Sequence, residues 1–122
     1  MGKFILNGNE YTGGENFHEY STNERIVGRW IDGKPIYEKT LDFASAITVT
    51  SNNTFNSTGL PIGNIEKFID SGVLLDTQSQ AFPCAVGNVN NGTEIGFGIT
   101  WAGSASQRTF TGLVIRYTKT TD

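Results

Sequence analysis

The sequence predicts an all-β domain, an antiparallel β-sandwich of jelly-roll-like connectivity behind a short N-terminal arm, on three observations. Apolar residues recur at period two, most plainly where Ile95, Phe97, Ile99 and Trp101 alternate with Gly96, Gly98 and Thr100. Turn-forming clusters such as Asp32-Gly33, Ser51-Asn52-Asn53 and Asn90-Asn91-Gly92 punctuate the chain; strands spaced at roughly 8–12 residues with turns between them suit a sandwich or barrel. Charged residues make up only 17% of the chain, and polarity comes instead from Asn, Thr, Ser and 15 Gly, which favours strands and exposed turns over helices.

A chain of 122 residues with 37% hydrophobic content supports one core, so residues 1–20 read as an arm and 21–122 as the sandwich. Net charge is -3 and the isoelectric point is near 5.0, which gives no reason to expect nucleic acid or an anionic membrane as partner. No apolar run is long enough to span a bilayer, and Phe4-Ile5-Leu6 is too short for the apolar stretch of a signal peptide. A single cysteine, Cys84, excludes an internal disulfide and fits synthesis in a reducing cytoplasm.

The arm opens with Lys3-Phe4-Ile5-Leu6, turns at Asn7-Gly8-Asn9 and carries a second glycine pair at Gly13-Gly14; Phe17, His18 and Tyr20 are placed to anchor it. Glu24–Thr40 then reads as a β-hairpin, because Asp-Gly suits the two positive-φ positions of a type I′ turn. With Asp32 and Gly33 in the loop, Ile31 pairs with Lys34, Trp30 with Pro35, Gly28 with Tyr37 and Val27 with Glu38. One face then carries Ile26, Trp30 and Tyr37, and its aromatics mark it as the inner one. Pro35 falls at a pair that needs no ladder donor.

Beyond the hairpin, Ala46–Thr50 is a β-branched strand and Ser51-Asn52-Asn53 turns it. Thr54–Thr58 follows as a short edge strand or loop, and Gly59–Asn64 is a turn. Ile65–Asp76 has apolar residues at helical spacing in Ile65, Phe68 and Ile69, but Ser71-Gly72 interrupts it and Val73-Leu74-Leu75 favours strand. Thr77–Ala81 is a polar loop ending at Phe82-Pro83. Cys84–Val89 and Glu94–Trp101 form a hairpin about Asn90–Thr93. After a small-residue loop, Arg108–Lys119 is the last strand, with Leu113, Ile115 and Tyr117 on one face and Phe110 and Val114 on the other.

No catalytic constellation emerges. The sole histidine, His18, has no nucleophile beside it in sequence and reads as a surface or packing residue. Cys84 sits in an apolar setting and reads as buried and inert. One His and one Cys cannot supply a structural zinc site, and the scattered acids lack a compact calcium loop, so neither metal nor cofactor is expected. Gly96 and Gly98 echo a phosphate loop, but no helix follows them. What remains is binding. Amide-rich loops with aromatics nearby suit sugar hydroxyls and ring faces, and the candidate ligand residues are Asn53, Gln78, Gln80, Asn90, Asn91, Trp101 and Gln107. Ordinary turn chemistry and a core tryptophan are the plainer reading of each.

The stretch Tyr20–Thr40, YSTNERIVGRWIDGKPIYEKT, and the closing Tyr117–Asp122, YTKTTD, resemble a module near the C-termini of tail and minor structural proteins of bacteriophages and prophages of gut and Gram-positive bacteria. That module characteristically reads YST-E--VG-WIDGKPIY-KT and ends on YTKTTD. The resemblance brackets residues 20–122, with Phe82-Pro83 in the place of an aromatic-Leu-Pro segment. It implies a compact β-sandwich at the distal end of a tail, commonly trimeric, in contact with other virion proteins and with host-surface glycan. Trimer packing is expected through the apolar remainder of the hairpin face or through the arm. A purely architectural assembly or decoration protein without a glycan ligand is the alternative. A wall-glycan depolymerase, needing two facing carboxylates, is the third reading, and no pair among Glu66, Asp70, Asp76 and Glu94 is singled out.

Overall fold

Residues 3–6, 9–12 and 18–122 are described by a computed structural model of the chain, and Gly13, Gly14 and Phe17 lie outside the described residues. Within the arm, β1 (Lys3–Leu6) and β2 (Asn9–Thr12) pair antiparallel with Leu6 opposite Asn9, a ribbon separate from the main sheet.

The remaining strands are β3 (Arg25–Arg29), β4 (Pro35–Val49), β5 (Thr54–Pro61), β6 (Ile65–Phe68), β7 (Gly72–Asp76), β8 (Ala81–Val89), β9 (Glu94–Ile99) and β10 (Arg108–Lys119). All pairings are antiparallel, in the order β3-β4-β10-β7-β8-β9-β5, with β6 beside the far end of β10. Strand β8 folds this ribbon of strands into two layers. Its first half, Ala81–Cys84, pairs with β7, and its second half, Ala85–Val89, pairs with β9. A strand that changes partner midway is how a sheet turns a corner. The layers close on Phe97 of β9, which stacks at 6.5 Å on Phe43 of β4 and meets Phe110 of β10 edge-on at 6.1 Å. Leu41, Val49, Leu74, Cys84, Ile95, Ile99, Trp101, Leu113, Ile115 and Tyr117 complete the interior.

The hairpin forms where expected but with a different loop. Gly33 N–H donates to the Trp30 carbonyl at 2.9 Å, Trp30 N–H donates to the Lys34 carbonyl at 2.8 Å, and Gly33 alone of the pair has positive φ, at 90°. The loop is therefore the three residues Ile31-Asp32-Gly33, a turn followed by a left-handed glycine, and not a two-residue type I′ turn. Asp32 caps it by accepting the Lys34 N–H at 2.9 Å. Pairing shifts with it: Pro35 faces Arg29, Ile36 faces Gly28, and a bulge at Val27 sets Tyr37 opposite Ile26 and Glu38 opposite Arg25. Tyr37 is covered, stacked at 6.0 Å on Tyr117 with the Lys119 ammonium 4.3 Å from its centroid. Trp30 is half-buried with Lys67 5.8 Å above it, and Ile26 is 66% exposed, because β3 is the edge strand beside β4 and buries no residue.

Four other expectations change. Hairpin arm and following strand are one strand, β4, whose residues Phe43–Ala46 bulge out of the β10 ladder and aim Phe43 inward. Strand β5 runs on to Pro61, and β8 begins at Ala81, so Phe82-Pro83 is strand and not loop end. Phe110 shares the buried face with Leu113, because a register shift between Phe110 and Gly112 inserts one residue. The Ile65–Asp76 segment is two strands, as its glycine break predicts.

Candidate functional site

The register places the connecting loops at two ends of the sandwich. Val49 lies opposite Arg108, Phe110 opposite Asp76, and Thr54 opposite Ile99, so the loops 50–53, 77–80 and 100–107 share one end. The loops 31–34, 62–64 and 90–93 share the other, with the Ile62 N–H donating to Thr93 and Thr120 N–H to Asn64.

At the first end, Asp76 closes β7 and organises the loop after it. Its Oδ1 accepts the N–H groups of Gln78 at 2.9 Å and Gln80 at 2.8 Å, satisfying the backbone of a tight turn whose Ser79 takes positive φ of 64°. Arg108 approaches from the start of β10. Its Nη1 donates to Gln80 Oε1 at 3.2 Å and lies 4.0 Å from Asp76 Oδ2, while its guanidinium covers the Phe82 ring at 5.2 Å. The Arg108 Nε is buried with no hydrogen-bond partner. Between them opens a cavity of about 160 Å³ lined by Asp76, Thr77, Gln78, Gln107, Arg108 and Thr109. Small-molecule pockets run from roughly 300 Å³ upward, so this opening accepts one polar substituent and not a whole ring.

Next to it lies a knot of amides. Asn52 Nδ2 donates to the Trp101 carbonyl at 2.9 Å, its Oδ1 accepts the Trp101 N–H at 3.0 Å, and Thr100 Oγ1 donates to Asn53 Oδ1 at 2.6 Å. The Trp101 ring is only 5% exposed, with its Nε1 donating to Ala105 O at 2.9 Å. It is core packing and presents no face to a ligand.

Of the residues the sequence singles out, Gln78, Gln80 and Gln107 converge on Asp76 and Arg108, and Asn53 belongs to the adjacent amide knot. Asn90 and Asn91 do not join them. They form the left-handed β8–β9 turn, with φ of 54° and 59°, at the other end of β8, roughly 30 Å away for nine residues of strand. There Asn90 Nδ2 donates to the Glu94 carboxylate. Asp76 and Arg108, the charged pair that holds the first site together, are not among the sequence candidates; an aspartate closing a strand two residues before a turn amide is the local signal for the first of them. Among the described residues no group of three or more His, Cys, Asp or Glu stands close enough to hold a metal ion. Cys84 is buried and its thiol is pushed up to about 11 by desolvation, out of reach as a nucleophile at neutral pH. His18 hydrogen-bonds Glu38 at 2.7 Å and packs edge-on against Tyr20, with ring centroids 4.8 Å apart.

No family model, curated protein or solved structure matches the chain.

Proposed function

We propose that the chain is a tail-associated structural protein of a bacteriophage or prophage, made in the bacterial cytoplasm and carried in the virion. In this reading its β-sandwich is a tip module that binds other tail proteins, touches host-surface carbohydrate through the Asp76–Arg108 end, and performs no catalysis. The observation that supports it most is the meeting of the two stretches that carry the resemblance. Glu24, Lys34 and Tyr37 come from the first, Tyr117 and Lys119 from the second. Tyr117 Oη donates to Glu24 at 2.9 Å, the Lys119 ammonium pairs with Glu24, Lys34 Nζ donates to the Lys119 carbonyl at 3.3 Å, and the rings of Tyr37 and Tyr117 stack. Motif residues 80 to 95 positions apart are thus in direct contact, which supports reading the two stretches as parts of one module.

The glycan contact has a direct test: an array of cell-wall polysaccharides probed with the intact protein. Binding that weakens in Arg108→Ala and Gln107→Ala supports the reading, and an array that stays dark removes its carbohydrate half. A second reading, an architectural piece without a glycan ligand, is favoured by an apolar trough on the outer face of β4, β10 and β7. It is lined by Tyr20, Thr40, Val73, Leu75 and Val114 and has a volume of about 330 Å³. Light scattering separates the parts: a trimer fits a tail tip, and a monomer at all concentrations overturns the oligomer.

A further inference from the structure

On the outer face of the second layer, Phe55 of β5 is 49% exposed. It lies on a floor made of three glycines. A Cβ built on Gly98 would stand 2.7 Å from one edge of its ring, one on Gly96 2.8 Å from the opposite edge, and one on Gly87 3.4 Å from its tip. Three points spread over one sheet face, all this close to the ring, put the ring flat on the sheet with one π-face toward solvent. Phe55 stands opposite Gly98, and Gly98 opposite Ala85, so only small residues flank it across the strands. The rim is polar. Ser57, two residues or about 7 Å along the same strand, donates to Glu94 Oε1 at 2.8 Å, and Asn90 donates to the same carboxylate.

We propose that Phe55 and its glycine floor form a stacking platform for a neutral pyranose ring, with Ser57, Glu94 and Asn90 as the hydrogen-bonding edge. This rests on the carbohydrate half of the proposed function and assigns the ring contact to a face that the 160 Å³ end cavity cannot supply. A flat, half-bare aromatic offers its π-face to the C–H groups on one side of a sugar, and a carboxylate beside it accepts hydroxyls while repelling acidic ligands. A second protein copy is not the occupant. One half-exposed ring offers on the order of 100 Å² of apolar area, far short of the roughly 800 Å² per partner of a stable interface.

The test is a titration of the intact, isotope-labelled protein with methyl pyranosides of glucose, galactose and N-acetylglucosamine, followed by amide NMR. The expected result is shifts centred on Gly87, Gly96 and Gly98, with an affinity of about millimolar for so small a ligand. Phe55→Ala is expected to weaken binding about tenfold, and Phe55→Trp to retain it. Gly98→Ala keeps the phenyl group but lifts it off the sheet, and is expected to weaken binding as Phe55→Ala does. Shifts confined to residues 76–80 and 100–109 overturn the platform and leave the carbohydrate reading standing. Silence with every sugar, or a Phe55→Ala protein that titrates like the parent, also overturns the platform, while the polysaccharide array decides the broader reading by itself.

Discussion

Glu38 is 2% exposed on the outer face of the first layer, yet its carboxylate is doubly held. Oε2 accepts from Arg116 Nε at 3.0 Å and Oε1 meets His18 Nε2 at 2.7 Å. A buried carboxylate is tolerable only with such partners, and its removal leaves the Arg116 guanidinium with the exposed Asp70 carboxylate, 3.8 Å from Nη1. Glu38→Ala is therefore expected to cost about 2 kcal/mol in a urea unfolding curve, less than a fully buried pair because Arg116 is part-exposed. Cys84 gives a second test at this scale. With its thiol raised to about 11 and its side chain in the core, native protein at about pH 8 should react with a thiol reagent far more slowly than unfolded protein. Native and denatured rates that agree would show that the layers do not close over β8. The cysteine's burial was legible from Phe82-Pro83 beside it. The importance of Glu38 was not, because its partners come from residues 20 positions before it and 78 after it.

Among the elements, the β3–β4 hairpin shows how much a turn signal carries. Asp-Gly specified where the chain reverses, and Gly33 does take positive φ. Loop length was decided elsewhere: a three-residue loop and the Val27 bulge together set Tyr37 opposite Ile26, while the β4–β10 register sets it opposite Tyr117. Gly33→Ala forces a side chain into the left-handed region, and nothing lies within 4 Å of the added methyl, so the cost is backbone strain alone, about 1 kcal/mol by thermal or urea unfolding. A neutral result would mean the loop relaxes to another turn type. Strand β8 makes the complementary point. Phe82-Pro83 reads as the end of a loop, but Pro83 faces only Val73 of β7, and pairing with β9 starts at Ala85. Its missing N–H falls where no second neighbour needs it, as at a sheet edge.

For the molecule as a whole, β10 is the centre: β4 lies along one side and β7 and β6 along the other. Its C-terminal end is tied down by carboxylates whose titration links stability to pH. Burial pushes the Glu24 carboxyl up, but hydrogen bonds from Lys119 and Tyr117 outweigh it and hold the group below its usual 4.5; Lys34 and Thr118 do the same for Glu66. A carboxyl whose folded value is depressed stabilises fully above the unfolded value and loses that contribution as pH falls through the folded one. Urea midpoints are thus expected to hold level from neutrality down to about pH 5 and to drop below pH 4.5. The drop should be shallower in the Glu24→Gln, Glu66→Gln double variant, and an equal drop in both proteins would place the acid sensitivity elsewhere.

By itself the sequence determined the all-β class, the strand nature of Ile65–Asp76, the reversals at Gly33 and at Asn90–Gly92, and the buried side of β9. Each follows from φ preferences or period-two alternation within a few residues, and a folded chain has no cheaper way to satisfy them. Tertiary structure alone decided which strand edges pair and where bulges re-aim Phe43 and Phe110. It also decided which loops gather Gln78, Gln80 and Gln107 around Asp76 and Arg108, and that the alternating Gly96 and Gly98 clear a floor for Phe55. These depend on closing long loops and on burying one shared interior, and free energies summed over the whole sheet leave no trace in any single stretch of chain.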